Sequence, residues 1–206
     1  TEGWKITADD ISPNDYQTSI SPPVPVQPNP SAEAKLQVLL PGEVHEPGTD
    51  EGKSGTPQVQ TAGVQFTVTV NACDIYWNIV DDDVVVNLDT TDEFDTEPTP
   101  ASLGDGSAPF NLTLITASTH TVSANYVSAQ DYDYQSYTTP VFTVQPNVAT
   151  KLQVLLPGEV AVPGSSTGKM GDPDVQTAGV PFVITVNGVD DYWNVNTGAN
   201  AVVSIQ

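Results

Sequence analysis

The chain lacks arginine and has only five lysines among its 206 residues, against 26 acidic residues, so its formal charge is −21. Nucleic acids and anionic membrane surfaces are bound through Lys and Arg, and this composition argues against both as partners. A charge this far from zero favours solubility and favours cations as ligands. It does not indicate disorder, because 38% of the residues are hydrophobic and they occur in ordered runs.

Cysteine and long apolar runs are also scarce. The single cysteine, Cys73, cannot form an internal disulfide, and a small buried side chain is expected there. No apolar run reaches the roughly 18 residues of a membrane helix, so membrane insertion is not expected. No secretory leader is recognisable, and Thr1 is not an initiator methionine, which suggests that a leader or upstream domains have been removed or are missing.

The chain contains two nearly identical segments. Residues 35–80 and 151–196 align without a gap at an offset of 116 and match at 30 of 46 positions. Both begin KLQVLLPGEV and both end in a Tyr-Trp-Asn turn. A long internal period of this kind indicates tandem copies of one folded unit.

The repeat predicts three modules of unequal completeness. Residues 1–31 resemble the segment that ends the complete module and are expected to be the last strands of a preceding one. Residues 32–148 form one complete module. Residues 149–206 supply the first half of a following module, and nothing after them corresponds to residues 89–117.

Helix signals are nearly absent. Eighteen prolines and fifteen glycines separate short runs of Val, Thr and Ile, which is typical of strands joined by turns. Strands are predicted over the following residues: 35–40, 63–70, 84–88, 110–115, 119–125 and 141–144. About seven short strands in some 115 residues match an all-β fold of tandem immunoglobulin-like β-sandwiches.

Alternation along the strands predicts the core. Four side chains of one strand should face inward with Leu36, Val38 and Leu40, because alternate residues of a strand share a face. These four are Val64, Phe66, Val68 and Val70. The second copy should repeat the pattern with Val180, Phe182, Ile184 and Val186.

The segment AGVQFTVTVNACDIYWNIV, followed by VVVNL, SLGDGSAPFNLTL and THTVSAN, resembles bacterial Ig-like repeats of the invasin and intimin type. The resemblance covers nearly the whole chain. It departs from the usual pattern at Trp77 and Trp193, which stand where a glycine commonly precedes Asn, and in a longer first loop. The resemblance implies an extracellular, non-enzymatic array used as a stalk, adhesin or polymer subunit.

The repeated Asp-Tyr-Trp-Asn segment has two interpretations. Asp74 and Asn78 can bond the local backbone of a turn, with the aromatic pair covering the end of the sandwich. Alternatively, Trp77 and Trp193 can form an aromatic platform for a glycan.

Acidic residues cluster in places that suit Ca²⁺, which takes six to eight oxygen ligands. One cluster is a solvated acidic loop or a calcium site, and it comprises Asp74, Asp81, Asp82 and Asp83. A second group lies before the two linkers, where an ion would stiffen the array, and it comprises Asp9, Asp10, Asp15, Asp131 and Asp133. A further acidic loop comprises Asp92, Glu93, Asp95 and Glu97.

Lys35 and Lys151 open the first strand of each copy. Such a lysine discourages pairing between sheet edges. In some Gram-positive adhesins a lysine at this place is joined to an Asn. His45 and His120 are the only histidines, and no nucleophile, base and orienting group occur together, so an enzyme is not expected.

The sequence therefore predicts a structural extracellular repeat protein that forms a stalk or a head-to-tail filament on a cell surface. The alternative is a glycan- or calcium-dependent binding module of a larger adhesin or secreted enzyme. Self-association is the expected partnership. Residues 4–8 or 24–26 should pair with residues 180–186 or 201–205 of a neighbouring subunit, unless the chain is an excerpt whose neighbours complete both ends.

Overall fold

The computed structural model describes residues 3–13, 16–31, 33–129 and 131–205. They form strands and turns, and no helix among them is long and apolar enough to cross a membrane. In chain order the strands are β1 (Thr7–Ala8), β2 (Ser19–Ile20), β3 (Lys35–Leu39), β4 (Glu43–His45), β5 (Lys53–Gly55), β6 (Gln60–Thr61), β7 (Phe66–Cys73), β8 (Val85–Thr90), β9 (Ala101–Ser102), β10 (Ser107–Leu112), β11 (Thr119–His120), β12 (Val122–Ser128), β13 (Tyr137–Thr138), β14 (Phe142–Gln145), β15 (Lys151–Leu155), β16 (Val160–Ala161), β17 (Lys169–Met170) and β18 (Thr185–Val189).

Residues 33–148 contain two main antiparallel sheets. One has the strand order β10-β7-β3 and the other β13-β12-β8-β9. A third sheet, β11-β14-β6, includes a parallel pairing of β14 with β6. Buried apolar side chains from both main sheets form one core, as in a β-sandwich.

The core confirms most of the predicted inward face. Phe66, Val68 and Val70 are buried together with the three side chains predicted from β3 and its end. Val64 was wrongly predicted, because it is 49% exposed. Its N–H bonds the Thr61 carbonyl in a tight turn, and the strand begins only at Phe66.

The second repeat adopts the same local pairing as the first. Lys151 pairs with Val189 as Lys35 pairs with Cys73, and the β16–β17 hairpin repeats the register of β4–β5. Its predicted core was wrong, because none of the four side chains is buried: Ile184 and Val186 are only half-buried. Val180 and Phe182 lie outside any strand and are exposed, because no second sheet faces them among the described residues.

Residues 3–13 and 16–31 contain the antiparallel pair β1 and β2, whose register matches that of later strands; we call this pair and its flanking described residues the hairpin. Thr7 pairs with Ile20 and Trp4 with Val24, as Ser123 pairs with Thr138 and His120 with Phe142. The earlier pair of strands therefore reproduces the end of the complete sandwich.

Candidate functional site: linker clamp and junction

The Asp-Tyr-Trp-Asn turn holds the preceding linker. The Asp74 carboxylate accepts hydrogen bonds from the backbone N–H groups of Tyr76 (2.8 Å) and Asn78 (2.9 Å) and from the Asn78 side-chain amide. It also accepts the backbone N–H of Asn29, 45 residues earlier, at 2.9 Å. One buried carboxylate thus closes its own turn and ties down the linker. We call this arrangement the linker clamp.

The second copy repeats the linker clamp. Asp190 accepts the backbone N–H of Asn147 at 3.0 Å, together with the N–H groups of Tyr192 and Asn194 and the Asn194 side-chain amide. The segment from the clamped Asn to the first strand is two residues longer in the first copy. The bond from the linker Asn to the clamp Asp is present in both copies despite this difference in length, so the linker clamp is a feature of the repeat.

Electrostatics favour the charged form of Asp74. Burial acts to raise its pKa, but hydrogen bonds from Asn29, Asn78 and Tyr76 outweigh burial and hold the pKa below its usual value. The neighbouring Cys73 shows the opposite balance. Burial, helped by the charge of Asp74, raises the pKa of its thiol to about 12. Cys73 is fully buried, which confirms the small buried side chain predicted there.

Trp77 is buried in the first copy, whereas Trp193 is half-buried in the second. Trp77 has φ of +69°, a left-handed conformation, and is buried, with its Nε1 donating to the Asp50 carbonyl. The Lys35 ammonium lies 3.5 Å from the ring centroid, and Gly52 lies against the same side chain. Because Lys35 and Gly52 cover it, Trp77 offers no exposed platform for a sugar.

A junction joins the complete sandwich to the second repeat. The Asn194 side-chain amide donates to the Ile115 carbonyl at 2.8 Å, and its oxygen accepts the Ala117 N–H at 2.7 Å. The Asn147 side chain donates to the Ala62 carbonyl at 3.3 Å. Asn194 therefore serves both the linker clamp and the junction.

Two glycines admit aromatic rings at the junction. A Cβ at Gly63 would lie 2.1 Å from Cε2 of Tyr192, and a Cβ at Gly164 would lie 2.4 Å from Cδ2 of Phe94. Both contacts are too close for any side chain larger than hydrogen. The junction combines directed hydrogen bonds with close packing, so it fixes orientation as well as distance.

The acidic loop of the complete sandwich supports this junction. Asp92 is buried and accepts the backbone N–H groups of Ile115 (2.6 Å) and Thr116 (2.7 Å). Burial acts to raise its pKa, but these bonds outweigh burial and lower it. Burial raises the pKa of Asp95 and of Glu97, which have fewer donors. Asp92 therefore fixes the backbone of Ile115 and Thr116, next to the groups that Asn194 bonds.

Several calcium candidates have protein partners. Asp9 accepts the Thr18 hydroxyl, Asp10 accepts two nearby backbone N–H groups, and Asp133 accepts the Tyr126 hydroxyl. Hydrogen bonds from Ser12 and Tyr16 lower the pKa of Asp10. Asp15 lies outside the described residues, and Asp74 serves the linker clamp.

The remaining candidates surround an acidic cavity of about 420 Å³. It is lined by Asp81, Asp82, Asp83, Gly104, Asp105 and Asp131. Asp83 accepts the Ser102 hydroxyl, and Asp82 accepts the Tyr134 hydroxyl on one oxygen, while its buried Oδ1 has no partner among the described residues. In the described ranges no three His, Cys, Asp or Glu side chains are arranged to hold a metal.

The two histidines have structural partners. His45 Nδ1 donates to the Gln37 side-chain oxygen, and His120 Nε2 donates to the Thr116 carbonyl, each at 2.8 Å. Gln37 in turn bonds Gly52 beneath Trp77. These bonds fix the orientation of both rings.

The main functional residues that sequence reasoning missed are the linker asparagines. Asn29 and Asn147 recur in the identical tetrapeptide VQPN, and that recurrence was the available signal.

A scan against protein-family models and a search of the curated proteins both find no match.

Proposed function

We propose that this chain is a structural repeat protein, an array of immunoglobulin-like β-sandwiches that acts as a non-enzymatic extracellular stalk or head-to-tail filament on a cell surface. The observation that carries the proposal is the junction, in which Asn194 bonds the linker clamp on one side and the end of the complete sandwich on the other. The strand orders β10-β7-β3 and β13-β12-β8-β9 support the immunoglobulin-like assignment.

The proposal follows from what a spacer requires. Linked domains are expected to move relative to one another unless their interface restrains them. Here the restraint is built into a repeated motif, so each added repeat brings its own linker clamp. The net charge of −21 keeps such arrays soluble by mutual repulsion.

The test compares Asn194→Ala with Asn78→Ala. Both variants lose the side-chain bonds to the clamp aspartate, but only Asn194→Ala loses the bonds to Ile115 and Ala117. Small-angle X-ray scattering should give the same distance distribution for the unaltered chain and Asn78→Ala, and a broader one for Asn194→Ala. Equal broadening in both variants would show that the junction does not fix orientation, and would contradict the proposal.

A second candidate is calcium binding beside the acidic cavity that Asp82 lines, because the buried Oδ1 of Asp82 has no partner among the described residues. Since no three acidic side chains of the described part of the chain are arranged around one point there, backbone carbonyls and water would have to complete the ligand shell. An ion that binds only the native state raises the melting temperature. Calcium at millimolar concentration should raise it more than magnesium, which keeps its waters, and Asp82→Asn should abolish the rise. An unchanged melting temperature in the unaltered chain would leave the acidic residues as solubility devices.

A further inference from the structure

The first repeat presents the same face that the second repeat uses at the junction, but this face is uncovered. Tyr76 is 57% exposed, whereas its counterpart Tyr192 packs on Gly63. A Cβ at Gly48 would meet nothing within 4 Å, whereas its counterpart Gly164 lies against Phe94. We call Gly48, Tyr76 and Asn78 the leading face.

Asn78 makes one of the two sets of hydrogen bonds that Asn194 makes. Its side-chain amide bonds Asp74, as that of Asn194 bonds Asp190. Asn194 additionally grips a strand end, whereas Asn78 lines a cavity of about 570 Å³. Trp4, Val26 and Pro28 are among the other residues that line this cavity. The side-chain groups that Asn194 uses to bond Ile115 and Ala117 are therefore available on Asn78 for a bond to another segment.

The hairpin, in its described residues 3–13 and 16–31, leaves apolar side chains uncovered. Ile6 and Val24 are exposed, while the residues at the same register positions of the complete sandwich, Val122 and Phe142, are buried in its core. In that sandwich the core side of the later hairpin is covered by residues between 34 and 114. A segment like residues 34–114 would therefore fit both the leading face and the apolar side of the hairpin.

We propose that the leading face and the hairpin together are the docking site of one further β-sandwich module of this same repeat, whose strands resemble residues 33–116. This inference rests on the proposed function and specifies its partner. In this arrangement the Asn78 side chain hydrogen-bonds the backbone of the docked module at the positions that correspond to Ile115 and Ala117. The Tyr76 ring packs on the glycine that corresponds to Gly63.

The chemistry of the site selects this partner. The bonds that Asn194 makes at the junction go to backbone groups, which alone would accept many strand ends. The glycine contact adds selectivity, because any residue with a Cβ at the position of Gly63 would collide with the tyrosine ring. The side-chain amide of Asn29, exposed and without a partner among the described residues, supplies the counterpart of the bond from Asn147 to Ala62.

The experiment extends the whole chain by placing a second copy of residues 33–116 directly before Thr1. Thr1 is the counterpart of Ala117 at the offset of 116, so the added segment continues into the hairpin in register. Hydrogen exchange of the Asn78 side-chain amide should slow by about tenfold or more, towards the rate of Asn194. Nitration of Tyr76 should slow in parallel, while Tyr192 should keep its rate.

A matched pair of variants locates the contact. In the extended chain, Gly63→Leu in the added copy should re-expose Tyr76 alone, and the same change in the original copy should expose Tyr192 alone. An added segment that stays unfolded, or that folds and leaves Tyr76 exposed, overturns the inference. Rapid hydrogen exchange of the Asn194 side-chain amide in the original chain would contradict the proposed function, and this result is independent of the added segment.

Discussion

At the scale of single residues, two aspartates join neighbouring repeats to their linkers. Asp74 and Asp190 each accept four or more hydrogen bonds, and one of these comes from a linker more than 40 residues earlier. A carboxylate suits this task because charge-assisted bonds are about twice as strong as neutral ones. The left-handed Trp77 and Trp193 that follow are held by ring contacts with Lys35 and Lys151.

Gly52 should tolerate no side chain. Gly52→Ala places a Cβ 2.1 Å from Trp77 Cγ at φ of +69°, and overpacking together with the left-handed conformation should cost about 2–4 kcal/mol. Gly104→Ala is the control, since it has positive φ and open space, and should cost about 1–2 kcal/mol. Urea denaturation measures both, and equal costs would mean that Trp77 can move away.

Asp92 and Glu97 should affect stability with opposite signs. The pKa of Asp92 is lowered on folding, so its contribution is complete above the pKa of the unfolded chain, about 3.9, and is lost as pH falls through the folded value. Near neutral pH, Asp92→Asn should cost about 2–3 kcal/mol.

Glu97 is the matched opposite in the same loop. Its pKa is raised on folding, chiefly by burial, so stability decreases as pH rises from about 4.3 through the folded value. Glu97→Gln should remove that decrease and slightly stabilise the chain at neutral pH. Thermal melts between pH 3 and pH 7 test both variants, and a loss of stability in both at pH 7 would contradict the assignment.

At the scale of elements, β7 shows why one repeat has a core and its copy does not. Phe66 is 8% exposed and meets Phe142 edge to face, whereas Phe182 is 50% exposed. Phe66→Ala should therefore cost about 3–5 kcal/mol, and Phe182→Ala under about 1 kcal/mol. Equal losses on chemical denaturation would mean that the second repeat has a core of its own.

Periodicity was sufficient to predict the longer strands of the complete sandwich but not their limits, and it missed the short strands β4, β5, β6, β9 and β13. Alternation identified Phe66, Val68 and Val70, since two-residue periodicity is a local property. It failed at Val64 because a turn bonded from Val64 to Thr61 delays the strand, and turn geometry is not visible in hydrophobicity.

The candidate site was harder to predict, because its bonds span long distances in sequence. The Asp-Asn turn was correctly predicted from Asp74 and Asn78, whose partners are local. The bond from Asn29 to Asp74 crosses 45 residues, and that from Asn194 to Ile115 crosses 79. Composition and spacing carry no information on such pairs, so only the recurrence of VQPN pointed to the linker.

At the scale of the whole molecule, the central claim is that successive repeats hold one fixed orientation. Residual dipolar couplings of backbone N–H groups test this directly. Couplings from residues 33–148 and from β15 and β18 should fit a single alignment tensor of the same magnitude and orientation in the unaltered chain. Two tensors, with the couplings of the second repeat scaled down by motion, would contradict the account.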